Sequence, residues 1–152
     1  MFYYLGILFL VALDQLAKYL AVKYLLPLNT LPLWQNVLHL TYAENTGAAF
    51  GMLSGKQLFL IGVTSIVILA MLIVLQRFIN NPQETWLKLS LVLLISGGLG
   101  NLTDRIRLDY VVDFIDFRLI NFAIFNTADS LVSVGTVLLL YVVLFNKTKM
   151  KL

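Results

Sequence analysis

Four apolar runs dominate this chain. Each can cross a hydrocarbon core of about 30 Å, which takes about 20 helical residues. They fall at about 2–26, 57–79, 86–102 and 128–145. Backbone N–H and C=O groups find no partner in lipid, so such runs close their hydrogen bonds internally as helices. The fold expected is therefore membrane all-α with four transmembrane helices. The first run has no basic n-region and no A-x-A site, and Asp14 interrupts it. It reads as a retained span, not a cleaved signal peptide. The stretch 27–56 holds Pro, Asn, Thr and Gly, and is strand-like at Val37-Leu38-His39-Leu40-Thr41-Tyr42, a small β element. The stretch 103–127 reads as a loop with aromatic and charged residues. All 152 residues are expected to form one integral-membrane domain.

Four spans put both termini on one side. That side carries Arg77, Lys88, Lys147, Lys149 and Lys151 against Glu84 alone. The other side carries Lys18, Lys23, Lys56 and three arginines against the seven remaining acids. Raw counts of basic residues do not fix the orientation, but the three-lysine tail does favour a cytoplasmic side. With both termini cytoplasmic, 27–56 and 103–127 are extracytoplasmic.

Composition narrows the chemistry. Only 12% of residues are charged and 60% are hydrophobic. The absence of cysteine removes disulfides, thiolate nucleophiles and Cys-based metal sites. His39 is the single histidine, which disfavours a His-rich zinc site. The basic residues form no stripe for nucleic acid. Gly97-Gly98-Leu99-Gly100 follows a helix-like run and not a strand, so it is no phosphate loop. No metal or cofactor is expected.

Against this apolar background, five polar strings stand out. They are Asp14-Gln15 with Lys18; Asn45-Thr46-Gly47-Ala48-Ala49-Phe50; Gly97-Gly98-Leu99-Gly100-Asn101-Leu102-Thr103-Asp104-Arg105; Val111-Val112-Asp113-Phe114; and Phe125-Asn126-Thr127-Ala128-Asp129. Ionisable groups at membrane depth are expensive and mark function by default. Two carboxylates sharing a proton can hydrolyse a peptide bond without metal, Cys or His. Asp113, in a dry local setting, and Asp129 are the candidates. Each also has a plainer reading. Asn126 and Asp129 have the spacing of a helix cap, with Asp129 in the first turn, and Asp113 has Arg105 or Arg118 as possible ion-pair partners. Gly97, Asn101 and Asp104 share one helix face, as do Asp129, Ser133 and Thr136. Asp14 and Lys18 are spaced for an i, i+4 ion pair or for contact with a substrate. Arg105 has three possible partners: Asp104, Asp113 or a lipid phosphate. Asn45-Thr46-Gly47 supplies amides or makes a turn. His39 reads as a packed histidine, and Trp34, Tyr42 and Trp86 as interfacial anchors.

Taken together, in this order and spacing, the strings D-Q-x-x-K, N-x-G-A-A-F, G-G-x-G-N-x-x-D-R, V-V-D-F and F-N-x-A-D resemble the lipoprotein signal peptidases (type II signal peptidases), bacterial four-span aspartyl enzymes. The resemblance covers about residues 10–135. It implies that Asp113 and Asp129 are the catalytic dyad, and that Asp14, Lys18, Asn45, Gly47, Asn101, Asp104, Arg105 and Asn126 line and support the site. It implies an extracytoplasmic β-cradle at 27–56 and a mobile loop over the site. The implied substrate is a prolipoprotein whose cysteine carries diacylglycerol, cut just before that cysteine in the bacterial cytoplasmic membrane. Inhibition by globomycin-type cyclic peptides, no metal requirement and a monomeric state are also implied. Two positions depart from the family pattern: Asp109, where Gly is common, and Ala123, where Pro is common. A substrate held in the membrane requires lateral entry between helices. The aromatics Tyr110, Phe114, Phe117 and Phe122 suggest a lid.

Two other readings remain. A proton or ion pathway would use intramembrane carboxylates, but the acids cluster on one side and mark no through-path. A structural or partner-binding protein would tolerate loss of Asp113 and Asp129 together.

Overall fold

The structure is a computed structural model describing residues 2–48 and 52–145. Ala49, Phe50 and the Lys147–Lys151 tail lie outside the described residues. Four helices, α1 (Phe2–Leu25), α2 (Gln57–Phe78), α3 (Thr85–Leu108) and α4 (Thr127–Phe145), are long and apolar enough to cross a membrane. Three strands, β1 (Thr30–Trp34), β2 (Leu38–Asn45) and β3 (Val111–Phe117), form an antiparallel sheet in the order β1-β2-β3.

The apolar residues point outward as well as inward. Leu58 on α2, Ile66 on α2 and Val137 on α4 are 87%, 70% and 68% exposed. In water such faces would associate; in a bilayer they meet lipid. α3 is the exception. It is the hub on which α1, α2 and α4 pack, and its Leu87, Leu91, Val92, Ile95 and Leu102 join Ile7, Ile68, Leu75 and Val142 in one core. α2 and α4 pack chiefly on α3 and not on each other.

Lipid tails are as apolar as leucine, so close helix contact depends on small residues. A Cβ built on Gly97 would press into the Ala128 carbonyl oxygen and lie 2.7 Å from Val132 Cγ2, both on α4. Gly97→Ala must therefore separate α3 from α4. The expected loss is about 1–3 kcal/mol of stability, the usual range for overpacking, with reduced activity. A thermal melt in detergent beside an activity assay checks it, and a variant as stable and active as the parent would contradict it.

The stretch 103–127 is only partly a loop. α3 continues to Leu108 and stops at Asp109, whose φ of 65° is left-handed and whose N–H bonds the Arg105 carbonyl. Glycine adopts that conformation freely at a helix C-terminus, and aspartate tolerates it at a cost. Asp109→Gly is therefore expected to stabilise the protein by up to about 1 kcal/mol, read as a higher melting temperature. The next residues alternate. Val112 and Phe114 pack with Ala21 and Leu25 of α1, while Val111 turns to a cavity wall. That period of two makes β3 a strand, and β2 pairs along it from Leu38↔Phe117 to Asn45↔Val111. One register irregularity between Leu40 and Ala43 gives β2 an extra residue just before Ala43 meets Asp113. The free edge of β3 is covered by Phe125, which exchanges backbone hydrogen bonds with Ile115 at 2.7 and 3.0 Å.

Two aromatics expected in a lid are structural instead. Phe114 is buried in the α1–β3 core, and Tyr110 packs against it with its hydroxyl 3.3 Å from that of Tyr42. Tyr42 is a residue of β2. Trp34 and Trp86 are exposed, as anchors require, and His39 is buried, its Nδ1 3.3 Å from Thr30 Oγ1.

Candidate active site

The end of α3, the strand β3 and the start of α4, consecutive in the chain, meet at one place with the end of β2. β3 contributes Asp113, which is 2% exposed. Its Oδ1 accepts from Asn126 Nδ2 at 2.6 Å and its Oδ2 from Asn45 Nδ2 at 3.0 Å. Neither Arg105 nor Arg118 pairs with it: Arg118 is held by Asp116 at 2.8 Å. Asn45 is oriented in turn by accepting the Gly47 N–H at 2.9 Å, so the Asn45-Thr46-Gly47 run is both a turn and an amide donor to Asp113.

α4 contributes Asp129 in its first turn. Asn126 Oδ1 accepts the Asp129 N–H at 2.9 Å, and Asp129 Oδ2 accepts the Asn126 N–H at 3.2 Å. This is the reciprocal cap expected from the spacing. It does not compete with a chemical role, because the remaining oxygen, Oδ1, accepts from Asn101 Nδ2 at 2.7 Å and Asp129 still lines a cavity. Asn126 is therefore shared by both acids: its side-chain amide donates to Asp113 and its backbone N–H to Asp129. Asn101 closes the ring, its Oδ1 accepting from Asn126 Nδ2 at 3.2 Å.

Beneath the ring lies a buried ionic layer. Lys18 Nζ is 3.0 Å from Asp14 and 2.9 Å from Asp104, and it also donates to Asn101 Oδ1 at 2.9 Å. The expected i, i+4 pair exists, and Asp104 joins it; Asp104 is thus neutralised by Lys18 and not by Arg105. Gln15 donates to Asp104 Oδ1 at 2.9 Å, and Asp104 Oδ2 accepts the Val112 N–H at 3.1 Å. Thr127 donates to Asp14. One layer thus ties α1 to α3, to the start of β3 and to the start of α4. It fixes the residues beside both dyad candidates. A Cβ on Gly100 would stand 2.5 Å from Asp14 Oδ2, so only glycine lets this carboxylate in.

Arg105 reaches across to donate to the Gly47 carbonyl at 2.8 Å, holding the Asn45 turn against α3. Its Nε is buried without a partner among the described residues. Gln15 and Thr127 were not among the residues singled out for the site. Both stood inside recognised strings, and the signal was their polarity at membrane depth.

Burial, then the nearby Asp129 charge, pushes the Asp113 carboxyl from 3.8 up to about 6, against the Asn126 and Asn45 donors and Lys18. A carboxyl whose folded value is raised binds more protons folded than unfolded between those values, so stability falls as pH rises through that window. The stability of Asp113→Asn relative to the parent is expected to rise by about 3 kcal/mol from pH 3 to pH 7. Thermal melts at both pH values read this, and a pH-independent difference would contradict it.

The ring opens on a cavity of about 720 Å³, lined by Asn45, Asn101, Arg105 and Asp129 at its polar end and by Thr64, Gly97, Gly98 and Val132 between α2 and α4. Phe122, Ala123, Ile124 and Phe125 border it from the segment after β3. Of the expected lid aromatics, Phe122 stands at this rim.

The signal peptidase (SPase) II family profile matches residues 6–145. A lipoprotein signal peptidase of Caldanaerobacter subterraneus subsp. tengcongensis is 46% identical over 137 residues, covering 90% of this chain and 92% of that protein. One from Clostridioides difficile is 45% identical over 150 residues, covering 98% and 99%. A bacterial membrane enzyme structure obtained by the in meso method at 2.3 Å superimposes with a TM-score of 0.82 at 31% identity, covering 99% of this chain and 93% of that one.

Proposed function

The chain belongs to the signal peptidase II family, and from that premise we propose that it is an aspartyl endopeptidase that removes the signal peptide from diacylglyceryl-modified prolipoproteins, cutting just before the lipidated cysteine. The observation that carries this reading is Asn126, one residue donating to both Asp113 and Asp129, of which Asp129 stands on the wall of the cavity. Like charges in such a place repel, so the reactive form of the pair shares one proton.

Asp113, whose carboxyl is raised to about 6, holds that proton, and Asp129, in the first turn of α4, acts as the base. Asp129 takes a proton from water as the oxygen attacks the scissile carbonyl carbon. Asp113 gives its proton to the carbonyl oxygen. Collapse of the tetrahedral species returns a proton to Asp113, the C–N bond breaks, and the leaving amine takes the proton from Asp129. Asn45, Asn101 and Asn126 keep the acids in place, so little reorganisation accompanies the step. The proton distribution predicts that kcat/KM falls as pH rises above about 6, since the reactive form has one acid neutral.

The same reading carries a location. The substrate's lipid stays in the bilayer while hydrolysis needs water, so the cut belongs at the interface. The gap between α2 and α4 gives lateral entry. Both termini are placed in the cytoplasm and the dyad at the extracytoplasmic face of the bacterial cell membrane, with the sheet as a cradle over it. The enzyme works as a monomer without metal, and globomycin-type peptides occupy the same cavity.

The test is cleavage of a diacylglyceryl-modified prolipoprotein by the purified protein in detergent with EDTA, the products identified by mass. Release of an intact signal peptide ending at the residue before the modified cysteine is expected. A protein that is folded yet inert on this substrate, or active only without EDTA, would overturn the reading.

A further inference from the structure

Hydroxyls inside membrane helices usually bond back to the carbonyl of the preceding turn. Ser90, Ser96, Thr103, Ser130 and Thr136 do so here, at 2.6 to 3.1 Å. Thr64 on α2 and Ser133 on α4 make no such bond among the described residues, and both line the site cavity from opposite sides of the α2–α4 gap. Ser65 also lacks one, but it faces outside the cavity.

Ser133 and Val134 also begin a second groove of about 530 Å³, which continues along α4 over Val137, Leu138 and Tyr141. Ser133 lies about 6 Å along the helix from Asp129, and Tyr141 about 18 Å, at 1.5 Å per residue. The groove therefore starts beside the dyad and runs along the span, away from the polar ring. A molecule filling both spaces needs a polar, hydrolysable part at the ring, hydrogen-bond acceptors one turn deeper, and an unbranched apolar part below. A lipid-modified cysteine has that order of groups: peptide bond, glyceryl esters, acyl chain.

We propose that Thr64 and Ser133 donate to the ester carbonyls of the substrate's glyceryl group, and that the Val134–Tyr141 groove receives one of its acyl chains. This rests on the peptidase reading above. Lipid is as apolar as the groove, so the groove contributes orientation and not affinity. An ordinary bilayer phospholipid lying on α4 is the competing occupant.

The experiment compares three prolipoprotein peptides in mixed micelles with the full-length protein: one with dipalmitoylglyceryl, one with dibutyrylglyceryl, and one with the dihexadecyl ether, which lacks ester carbonyls. Val137→Trp is expected to lower the long-to-short ratio of kcat/KM about tenfold, because only the long chain reaches that depth. Val143→Trp, on the lipid face beyond the groove, serves as the control and is expected to leave the ratio unchanged. Thr64→Val with Ser133→Ala is expected to lower the ester-to-ether ratio about fivefold or more, the loss of one or two hydrogen bonds. A long-to-short ratio for Val137→Trp within twofold of the parent, or equal losses on ester and ether, overturns the proposal and leaves α4 as an ordinary lipid contact. A parent inert on all three peptides rejects the peptidase reading itself, and this one with it.

Discussion

Asp113→Asn and Asp129→Asn are each expected to lower cleavage of a diacylglyceryl-modified prolipoprotein at least a thousandfold while leaving the protein folded. Each substitution keeps size and shape and removes one proton-transfer group, and such groups are worth about 10²–10⁴ in rate. Both members of a proton-sharing pair act in every step, so either loss stops the cycle. Asp129→Asn keeps an oxygen to accept the Asn126 N–H, which preserves the start of α4. Asp113→Asn keeps an oxygen for Asn126 or Asn45 and loses the cost of a buried charge. Activity in detergent, beside thermal melts on the same preparations, checks both points. Either variant retaining more than a tenth of parental kcat/KM would remove the dyad. A protein whose role was structural or partner-binding would tolerate both changes.

Lys18→Met carries the second large effect, this time on stability. Lys18 is 3% exposed and is the cation shared by Asp14 and Asp104, themselves 0% and 3% exposed. Removing one partner of a buried ion pair costs about 3–5 kcal/mol, because the remaining charge is uncompensated. Here two carboxylates lose their cation together, and the layer they form joins α1, α3, β3 and α4. Lys18→Met is therefore expected to yield little folded protein. Adding Asp14→Asn and Asp104→Asn is expected to restore most of the stability, since a neutral hydrogen-bonded layer carries no unpaired charge. A Lys18→Met variant within 1 kcal/mol of the parent would show that the layer is not the tie described.

The four helices were readable because a bilayer leaves a long apolar run one stable backbone arrangement. The site residues were readable because polarity at membrane depth is rare enough to notice. Their partners were not. Arg105 had three reasonable partners in sequence, Asp104, Asp113 and a lipid phosphate, and the fold gives it the Gly47 carbonyl. Asp104 looked adjacent to its counter-charge, yet its counter-ion is Lys18, on another helix. Val111–Phe117 read as loop because its charges hid the alternation; pairing with β2 and packing on α1 made it a strand.

The sequence by itself determined the spans, the absence of thiol chemistry and the set of polar residues near one membrane face. Those are properties of composition and local period, which transfer to lipid or water residue by residue. Only the tertiary structure decided which carboxylate is buried, which amides hold it and where the cavity opens. Those depend on groups within hydrogen-bonding distance in space and up to 113 residues apart in the chain, as Asp14 and Thr127 are. Hydrogen bonds and desolvation act over a few ångströms, so the chemistry of this site exists only after α1, α3, β3 and α4 have met.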